Sequence, residues 1–272
     1  MLKRTITGAV ITIVAVGFFL LRQYVDTRLF LLLIFGITLL ATYEINVALG
    51  ERTSKWQKSA SLIAVGLASI LNVLFGATGM LVTYLVFACL LFLAPVFFVG
   101  KVTLESVAYS LFALVYPAVL LIPLTLMNDL GDISFFALVL TFIISPCADV
   151  FAYLVGRTFK GKKLCPEISP NKTISGAIGG LIGGIAGSII VYAILKNDFT
   201  YHLSLNPYVY FGVVGLIASL LTELGDLVES FIKRSVGIKD SGKIFPGHGG
   251  MLDRIDGLVF ASVFIYFVTA LF

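Results

Sequence analysis

The chain has 272 residues, of which 59% are hydrophobic and only 12% charged, and its mean hydropathy is +1.04. An average soluble domain carries about 25% charged residues, so this composition excludes a water-soluble protein. Three cysteines without CxxC spacing and only two histidines argue against a disulfide framework, a zinc site or a histidine-based metal cage. The composition predicts an all-α, polytopic integral membrane protein.

Apolar runs divide the chain into helices that can cross a membrane, which requires about 20 residues each. The first run follows Lys3-Arg4 and is interpreted as a retained transmembrane helix, because no A-x-A cleavage pattern precedes Arg22. The third and fourth runs are separated only by residues 76–79, which we expect to form a tight turn. About nine spans are predicted, at residues 5–21, 28–49, 59–76, 79–99, 103–127, 133–155, 174–195, 208–232 and 255–272.

The basic residues predict how the helices are oriented. Sixteen of the 19 Lys and Arg residues fall on the side of the N-terminus, which the positive-inside rule places in the cytoplasm. Residues 1–130 carry no charged motif and are interpreted as a transmembrane scaffold and possible dimerisation region; for Glu44, inside the second span, a structural and a functional role are both open. Residues 131–272 form the predicted catalytic region, with cytoplasmic loops 156–173 and 233–254.

The eighth span contains three acids on one helical face. Glu223, Asp226 and Glu229 recur at every third position, and Lys233 follows Glu229 at i+4. Carboxylates inside a span are costly and usually functional, although an intrahelical network is the alternative. The excess negative charge favours a bound cation, and Mg²⁺ takes oxygen ligands of this kind.

A second acidic pair, Asp253 and Asp256, begins the ninth span. Capping of a helix N-terminus is an alternative role for one of them, but it does not explain both. The pair follows a loop, 239–250, that combines lysines, a histidine and four glycines. Glycines let backbone amides approach an anion closely, so the loop is typical of a phosphate-binding segment.

The third charged element closes the sixth span. Asp149 lies about two helical turns from the predicted cytoplasmic boundary, where it is either a site residue or a hydrogen-bonded packing residue. Arg157 follows at the start of loop 156–173, and Lys172 precedes the seventh span. That seventh span carries two GxxxG ladders between Gly176 and Gly187, which we interpret as helix-packing surfaces and not as a phosphate cradle.

Residues 230–256 resemble the signature of the phosphatidate cytidylyltransferases, also called CDP-diacylglycerol synthases. The resemblance rests on the strings Ser230-Phe-Ile-Lys-Arg, Lys239-Asp-Ser-Gly and Phe245-Pro-Gly-His-Gly-Gly-Met-Leu-Asp-Arg-Ile-Asp256. Residues 149–157 and 168–173 are similar to upstream blocks of the same family. The family has an acidic residue where this chain has Ser175, so no role is carried over to that position.

The resemblance implies an enzyme of a bacterial-type inner membrane that transfers a cytidylyl group from CTP to phosphatidic acid and releases pyrophosphate. It implies Mg²⁺ dependence, a second and monovalent cation such as K⁺, a homodimer among membrane lipids, no nucleic-acid partner, and an active site facing the cytoplasm. Together with the motifs above it supports three hypothetical sets of site residues: catalytic Lys233, Arg234, Lys239, His248 and Arg254; substrate-binding Arg157, Lys172, Lys243 and Asp149; metal-binding Asp226, Asp253, Asp256 and Glu223.

Other classes of membrane protein stay open at this point. A CTP-dependent lipid kinase would leave the cytidine in CDP, whereas a CDP-alcohol phosphotransferase needs a DG…AR…G…D…D string that does not continue after Asp256-Gly257. A transporter would bind coupling ions near the bilayer midplane, but no internal repeat is apparent and the acids cluster toward one face. A purely structural membrane protein leaves the acidic clusters without a purpose.

Overall fold

The computed structural model describes residues 2–202, 204–247 and 249–271, with side-chain detail from residue 5 onward. The described chain is predominantly helical, and its single described sheet has two short strands. Within it, seven helical segments are long and apolar enough to cross a membrane. The predicted class, an all-α polytopic membrane protein, is confirmed; the count of nine crossings and the cytoplasmic N-terminus stay predictions.

The chain folds into two compact units, one made of Met1–Thr125 with Asp240–Arg254 and the other of Leu126–Lys239 with Ile255–Phe272. The first unit therefore includes the glycine-rich segment 240–254, which the sequence assigned to the C-terminal region. The proposed division near residue 130 into a scaffold and a catalytic region stays a prediction.

The first unit is built from long apolar helices. Its helices are α1 (Leu2–Tyr24), α2 (Leu29–Ala48), α3 (Lys55–Phe97), α4 (Leu104–Ala113) and the start of α5 (Ile122–Met127). Ser54 and Gln57 form a capping box at the start of α3, which satisfies backbone donors that have no partner within the helix. A π-helical turn and a 3₁₀ turn connect α4 to α5.

Helix α3 covers the third and fourth predicted spans. Its 43 residues would measure about 64 Å as one straight helix, roughly twice the thickness of a hydrocarbon core. The helix breaks at Gly76, whose φ of +64° is accessible to glycine at little cost. The break falls at the residue where the sequence predicts one span to end, although the connection is a kink and not a separate loop.

The second unit contains the helices that carry most of the charged motifs. Its elements are α6 (Ser134–Phe159), strands β1 (Lys163–Cys165) and β2 (Ser169–Thr173), α7 (Ile174–Leu195), α8 (Pro207–Ser235) and the greater part of α9 (Leu252–Thr269). The two strands pair antiparallel, with Lys163 opposite Thr173 and Cys165 opposite Ser169. The predicted loop 156–173 is therefore the last turn of α6 followed by an ordered hairpin.

The glycines of α7 pack against two helices, and Gly176 contacts α6 although it shares a ladder with Gly184. Gly179 and Gly183 lie against α6, where an added Cβ would stand 2.9 Å from the carbonyl oxygen of Phe151 and 2.7 Å from that of Cys147, respectively. Gly184 lies against α8, and a Cβ there would stand 2.7 Å from the carbonyl oxygen of Gly215. The helix-packing interpretation of these glycines is confirmed, because only residues without a side chain allow such close backbone approach.

Candidate active site

Four acids and two lysines of the second unit interact electrostatically. We call them the acid cluster: Asp149 from α6, Glu223 and Asp226 from α8, Asp256 from α9, with Lys172 from β2 and Lys233 from α8. The carboxylates of Asp149 and Asp226 repel those of both Glu223 and Asp256. Lys172 attracts the carboxylate of Glu223, and Lys233 attracts that of Asp256. The structure thus brings together acids that lie more than a hundred residues apart, and the cluster keeps an excess of negative charge.

Lys172 forms the central ion pair of this cluster. Its Nζ lies 2.7 Å from Oδ2 of Asp226 and donates a second bond, of 3.3 Å, to the carbonyl oxygen of Glu223. The ion-paired side chains are 23% and 33% exposed, so the pair is partly screened by solvent. The sequence places Lys172 in a substrate-binding role, and in the structure this lysine neutralises a predicted metal ligand.

Glu223 points one carboxylate oxygen into a buried position. Its Oε1 has no hydrogen-bond partner among the residues that the structure describes. The carboxylate lies against Gly180 of α7, where any Cβ would overlap it. A glycine at 180 is therefore needed to leave room for this acid, and a buried carboxylate oxygen without a donor is suited to a cation.

Asp226 and Asp256 lie on neighbouring turns of α8 and α9. Gly225 lets these helices approach closely, since a Cβ there would stand 2.5 Å from the carbonyl oxygen of Asp256. Asp226 accepts a bond of 3.3 Å from the Ser230 hydroxyl, and Asp256 accepts one of 2.8 Å from the amide of Gly257. Each carboxylate accepts few protein donors, which leaves lone pairs for another ligand.

The donor chemistry of this cluster fits Mg²⁺, because carboxylate oxygens are the hard ligands that the ion prefers. Glu223, Asp226 and Asp256 supply such oxygens, and one of them is buried without a donor. Across the described ranges, however, no group of three or more His, Cys, Asp or Glu side chains is already arranged to hold a metal ion. The acids lie close to one another, but they are arranged as an ion-paired cluster and not as a set of metal ligands.

Glu229 is the third acid of the predicted stripe, and it has a different environment. Its side chain is fully buried and forms an ion pair with Lys233, one helical turn further along α8. The i, i+4 spacing that the sequence shows is therefore used for an intrahelical pair. For Glu229 alone, this pairing agrees with the alternative interpretation of the three acids, an intrahelical network.

Asp253 is engaged in the first unit, where it organises the glycine-rich loop. Its Oδ2 accepts from the amide and the hydroxyl of Ser241, at 3.0 and 2.7 Å, and from the amide of Gly250, at 2.8 Å. Because this oxygen accepts three hydrogen bonds from the loop, the Asp253 carboxylate stabilises the conformation of the loop. A metal-binding role for Asp253 stays a prediction.

Glu44 is the functional candidate that sequence reasoning left undecided. This α2 residue, 2% exposed, accepts from the amides of Met251 and Leu252, at 2.9 and 2.8 Å. The one signal in the sequence is a carboxylate inside an otherwise apolar span, which is costly unless donors surround it. Nothing in the sequence says that those donors come from a segment 200 residues away.

The remaining predicted basic residues are exposed. In the second unit Arg157 donates to the Tyr153 hydroxyl at 2.6 Å, and Arg234 donates to the carbonyl oxygen of Ile238 at 3.3 Å. Lys239 in the second unit and Lys243 and Arg254 in the first also face solvent. His248, a predicted catalytic residue, lies outside the described residues.

Together the fold and the site define a polytopic membrane protein with an acidic, lysine-containing cluster on its last helices. The chain belongs to the cytidylyltransferase family, whose sequence profile matches residues 2–272. The resemblance found in the signature residues is thereby confirmed.

Individual relatives carry a more specific name. The chain is 42% identical over 139 residues to a phosphatidate cytidylyltransferase of Bacillus subtilis (strain 168), covering 49% of each chain. It is 36% identical over 149 residues to the phosphatidate cytidylyltransferase of Brucella abortus biovar 1 (strain 9-941), covering 55% of this chain and 52% of the relative. For the Rickettsia felis phosphatidate cytidylyltransferase the identity is 33% over 173 residues, covering 63% and 74%. The chain thus matches about half the length of the first two relatives.

Proposed function

We propose that this protein transfers a cytidylyl group from CTP to phosphatidic acid and so forms CDP-diacylglycerol and pyrophosphate. The observation that carries the proposal is the acid cluster with its two lysines, in a chain of the cytidylyltransferase family. The names of the relatives support the choice of CTP and phosphatidic acid as substrates. We further propose that the site faces the cytoplasm, where CTP is found, and that the enzyme works as a homodimer.

The lipid substrate can act as its own nucleophile. A phosphate monoester loses its second proton at about pH 6, so the phosphate of phosphatidic acid carries an anionic oxygen at neutral pH. That oxygen attacks the α-phosphorus of CTP, a new P–O bond forms, and the bond between the α-phosphorus and the bridging oxygen breaks. The electron pair leaves with pyrophosphate, and no protein base is needed.

Most of the catalysis then comes from positioning and charge neutralisation. We propose that Lys233 and Arg234, at the end of α8, and Lys239, four residues beyond it, neutralise the triphosphate and the leaving pyrophosphate. Lys243 and Arg254, in the first unit, keep the substrate-binding and catalytic roles that the family resemblance implies. Arg157 and His248 are proposed contacts to a phosphate group, and Asp149 is proposed to orient a substrate or a basic side chain.

We propose that Asp226, Asp256 and Glu223 hold Mg²⁺. When bound there, the ion would supply electrostatic stabilisation of the charge that develops on the phosphate oxygens. Asp226 would bind the ion through the lone pairs that its ion pair with Lys172 leaves available, and Lys172 is a proposed contact to a substrate phosphate. Asp253 is a less suitable ligand, because its Oδ2 already accepts three hydrogen bonds. A bound K⁺ stays a prediction.

The position of a radioactive label distinguishes this reaction from that of a CTP-dependent kinase. Purified protein in vesicles containing phosphatidic acid would be incubated with CTP labelled in the cytosine ring, with and without Mg²⁺. Cytidylyl transfer moves the label into the lipid fraction. Label that accumulates in CDP, with none in lipid, would contradict the proposal and favour a kinase.

A further inference from the structure

A buried carboxylate of the first unit caps a helix to which it does not belong. The amides of Met251 and Leu252 lie at the beginning of α9, where backbone donors have no acceptor within the helix. They donate to the two different carboxylate oxygens of Glu44, from α2, at 2.9 and 2.8 Å. A side chain about 200 residues earlier in the sequence therefore takes the role of an N-cap.

The glycines of the loop make room for this carboxylate. A Cβ at Gly242 would stand 2.7 Å from Cδ of Glu44, and one at Gly250 would stand 2.5 Å from the same atom. Real Cβ atoms do not approach a carbon so closely, so both positions require glycine while Glu44 keeps its position. Two glycines of the signature are thereby explained by contact with a protein side chain.

Asp253 holds the same loop from its other side. It accepts from Ser241 and Gly250, as described above, and the Ser241 hydroxyl also lies 3.4 Å from Oε2 of Glu44. The two carboxylates thus share Ser241 and between them bind both ends of segment 241–250. We call this arrangement the loop clamp: Glu44, Asp253 and the backbone of Ser241 and 250–252.

We propose that Glu44 is a positioning residue for nucleotide binding, acting through the loop clamp. It holds segment 241–252 in the conformation that presents Lys243 and Arg254 to the phosphates of CTP. The inference rests on the proposed function, because it assigns the loop to that nucleotide. Burial of a carboxylate in an apolar helix is expensive, and the amides of Met251 and Leu252 offset part of that cost.

The clamp can be tested without any substrate. Glu44→Gln keeps the shape of the side chain but replaces one acceptor with an amide donor, so it cannot accept from both Met251 and Leu252. Hydrogen exchange of the ligand-free protein in vesicles should become at least tenfold faster in peptide 240–254, while α7 changes less than twofold. The matched control, Glu51→Gln, removes an exposed acid beyond the end of α2 and should change neither peptide.

Kinetics then separate positioning from general loss of structure. Glu44→Gln should raise KM for CTP about tenfold or more, change KM for phosphatidic acid less than threefold, and keep the melting temperature of the wild type within a few degrees. If Glu44→Gln does not accumulate in the membrane, Gly250→Ala displaces the same carboxylate from the loop side and should give the same exchange and KM pattern.

Different results would overturn the positioning role of Glu44 and the proposed function. Unchanged exchange of peptide 240–254, or faster exchange with an unchanged KM for CTP, overturns the positioning role even if the wild type is active. An inactive wild type would instead overturn the proposed function, and the exchange experiment would still show whether Glu44 holds the loop.

Discussion

Replacing Lys172 with methionine removes the central ion pair of the acid cluster and should destabilise the protein. Methionine keeps the length of the apolar stem but not the charge. The substitution leaves Asp226 without its partner at 2.7 Å and removes the bond to the carbonyl oxygen of Glu223. Among the six residues of the cluster, Lys233 would then be the one remaining cation, and it is already paired with Glu229.

The expected loss of stability follows from the distance between the two charged groups and from the exposed fraction of their side chains. Two unit charges 2.7 Å apart attract by about 6 kcal/mol at an effective dielectric constant of about 20. Desolvation and partial exposure offset most of this, since exposed pairs contribute up to about 1 kcal/mol and breaking a buried pair costs about 3 to 5 kcal/mol. With side chains 23% and 33% exposed, we expect a loss of about 1 to 3 kcal/mol.

Thermal melting in detergent measures this loss. A chain of this size shifts by about 2 to 4 °C per kcal/mol, so Lys172→Met should melt several degrees below the wild type. Lys163→Met, an exposed lysine of the same hairpin, is the control and should melt within about 1 °C of the wild type. The double variant Lys172→Met/Asp226→Asn should recover part of the loss, because the charge that Lys172 compensates at Asp226 is then removed as well. A Lys172→Met protein as stable as the control would show that the ion pair between Lys172 and Asp226 does not stabilise the protein.

Three further predictions concern packing and the proposed metal. Gly183→Leu should prevent stable accumulation in membranes, because even its Cβ would collide with Phe151 and α6 backbone, whereas Gly212→Ala should accumulate normally, as judged by immunoblotting. Gly180→Ala should lower cytidylyl transfer at least tenfold by displacing Glu223, with Gly212→Ala as the activity control; equal rates would place Glu223 outside the reaction. Chelation of divalent cations should abolish label transfer to lipid, and addition of Mg²⁺ should restore it; transfer that persists in chelator would contradict the metal proposal.

The fold class could be predicted from the sequence, because the patterns that indicate it lie within single segments of the chain. Membrane spans are visible because each needs about 20 apolar residues, and the break at Gly76 falls where one predicted span ends. The glycine ladders of α7 indicate helix packing, and the structure shows that α6 and α8 are the helices that they contact. Asp226 and Asp256 stand out because acids within spans are rare.

Pairings between distant segments could not be read from the sequence. The salt bridge from Lys172 to Asp226 joins β2 to α8, and periodicity within one helix says nothing about such a partner. Glu44 looked like an isolated acid, because its donors are backbone amides, which have no sequence signature. Asp253 and Asp256 share a helix and an i, i+3 spacing, yet their hydrogen bonds differ, since Asp253 binds the glycine-rich loop.

The proposal that the acid cluster catalyses cytidylyl transfer is tested most directly by the turnover of two acid-cluster variants. Asp226→Asn and Asp256→Asn, purified in vesicles with phosphatidic acid, CTP and Mg²⁺, would be compared with Glu167→Gln, an exposed acid of the β1–β2 hairpin. Both cluster variants should lose at least a hundredfold of CDP-diacylglycerol formation, and the control should keep full activity. Asp256→Asn should melt near the wild type, and Asp226→Asn, which breaks the ion pair with Lys172, no lower than Lys172→Met. Near-wild-type turnover in both cluster variants would contradict a catalytic role of the acid cluster.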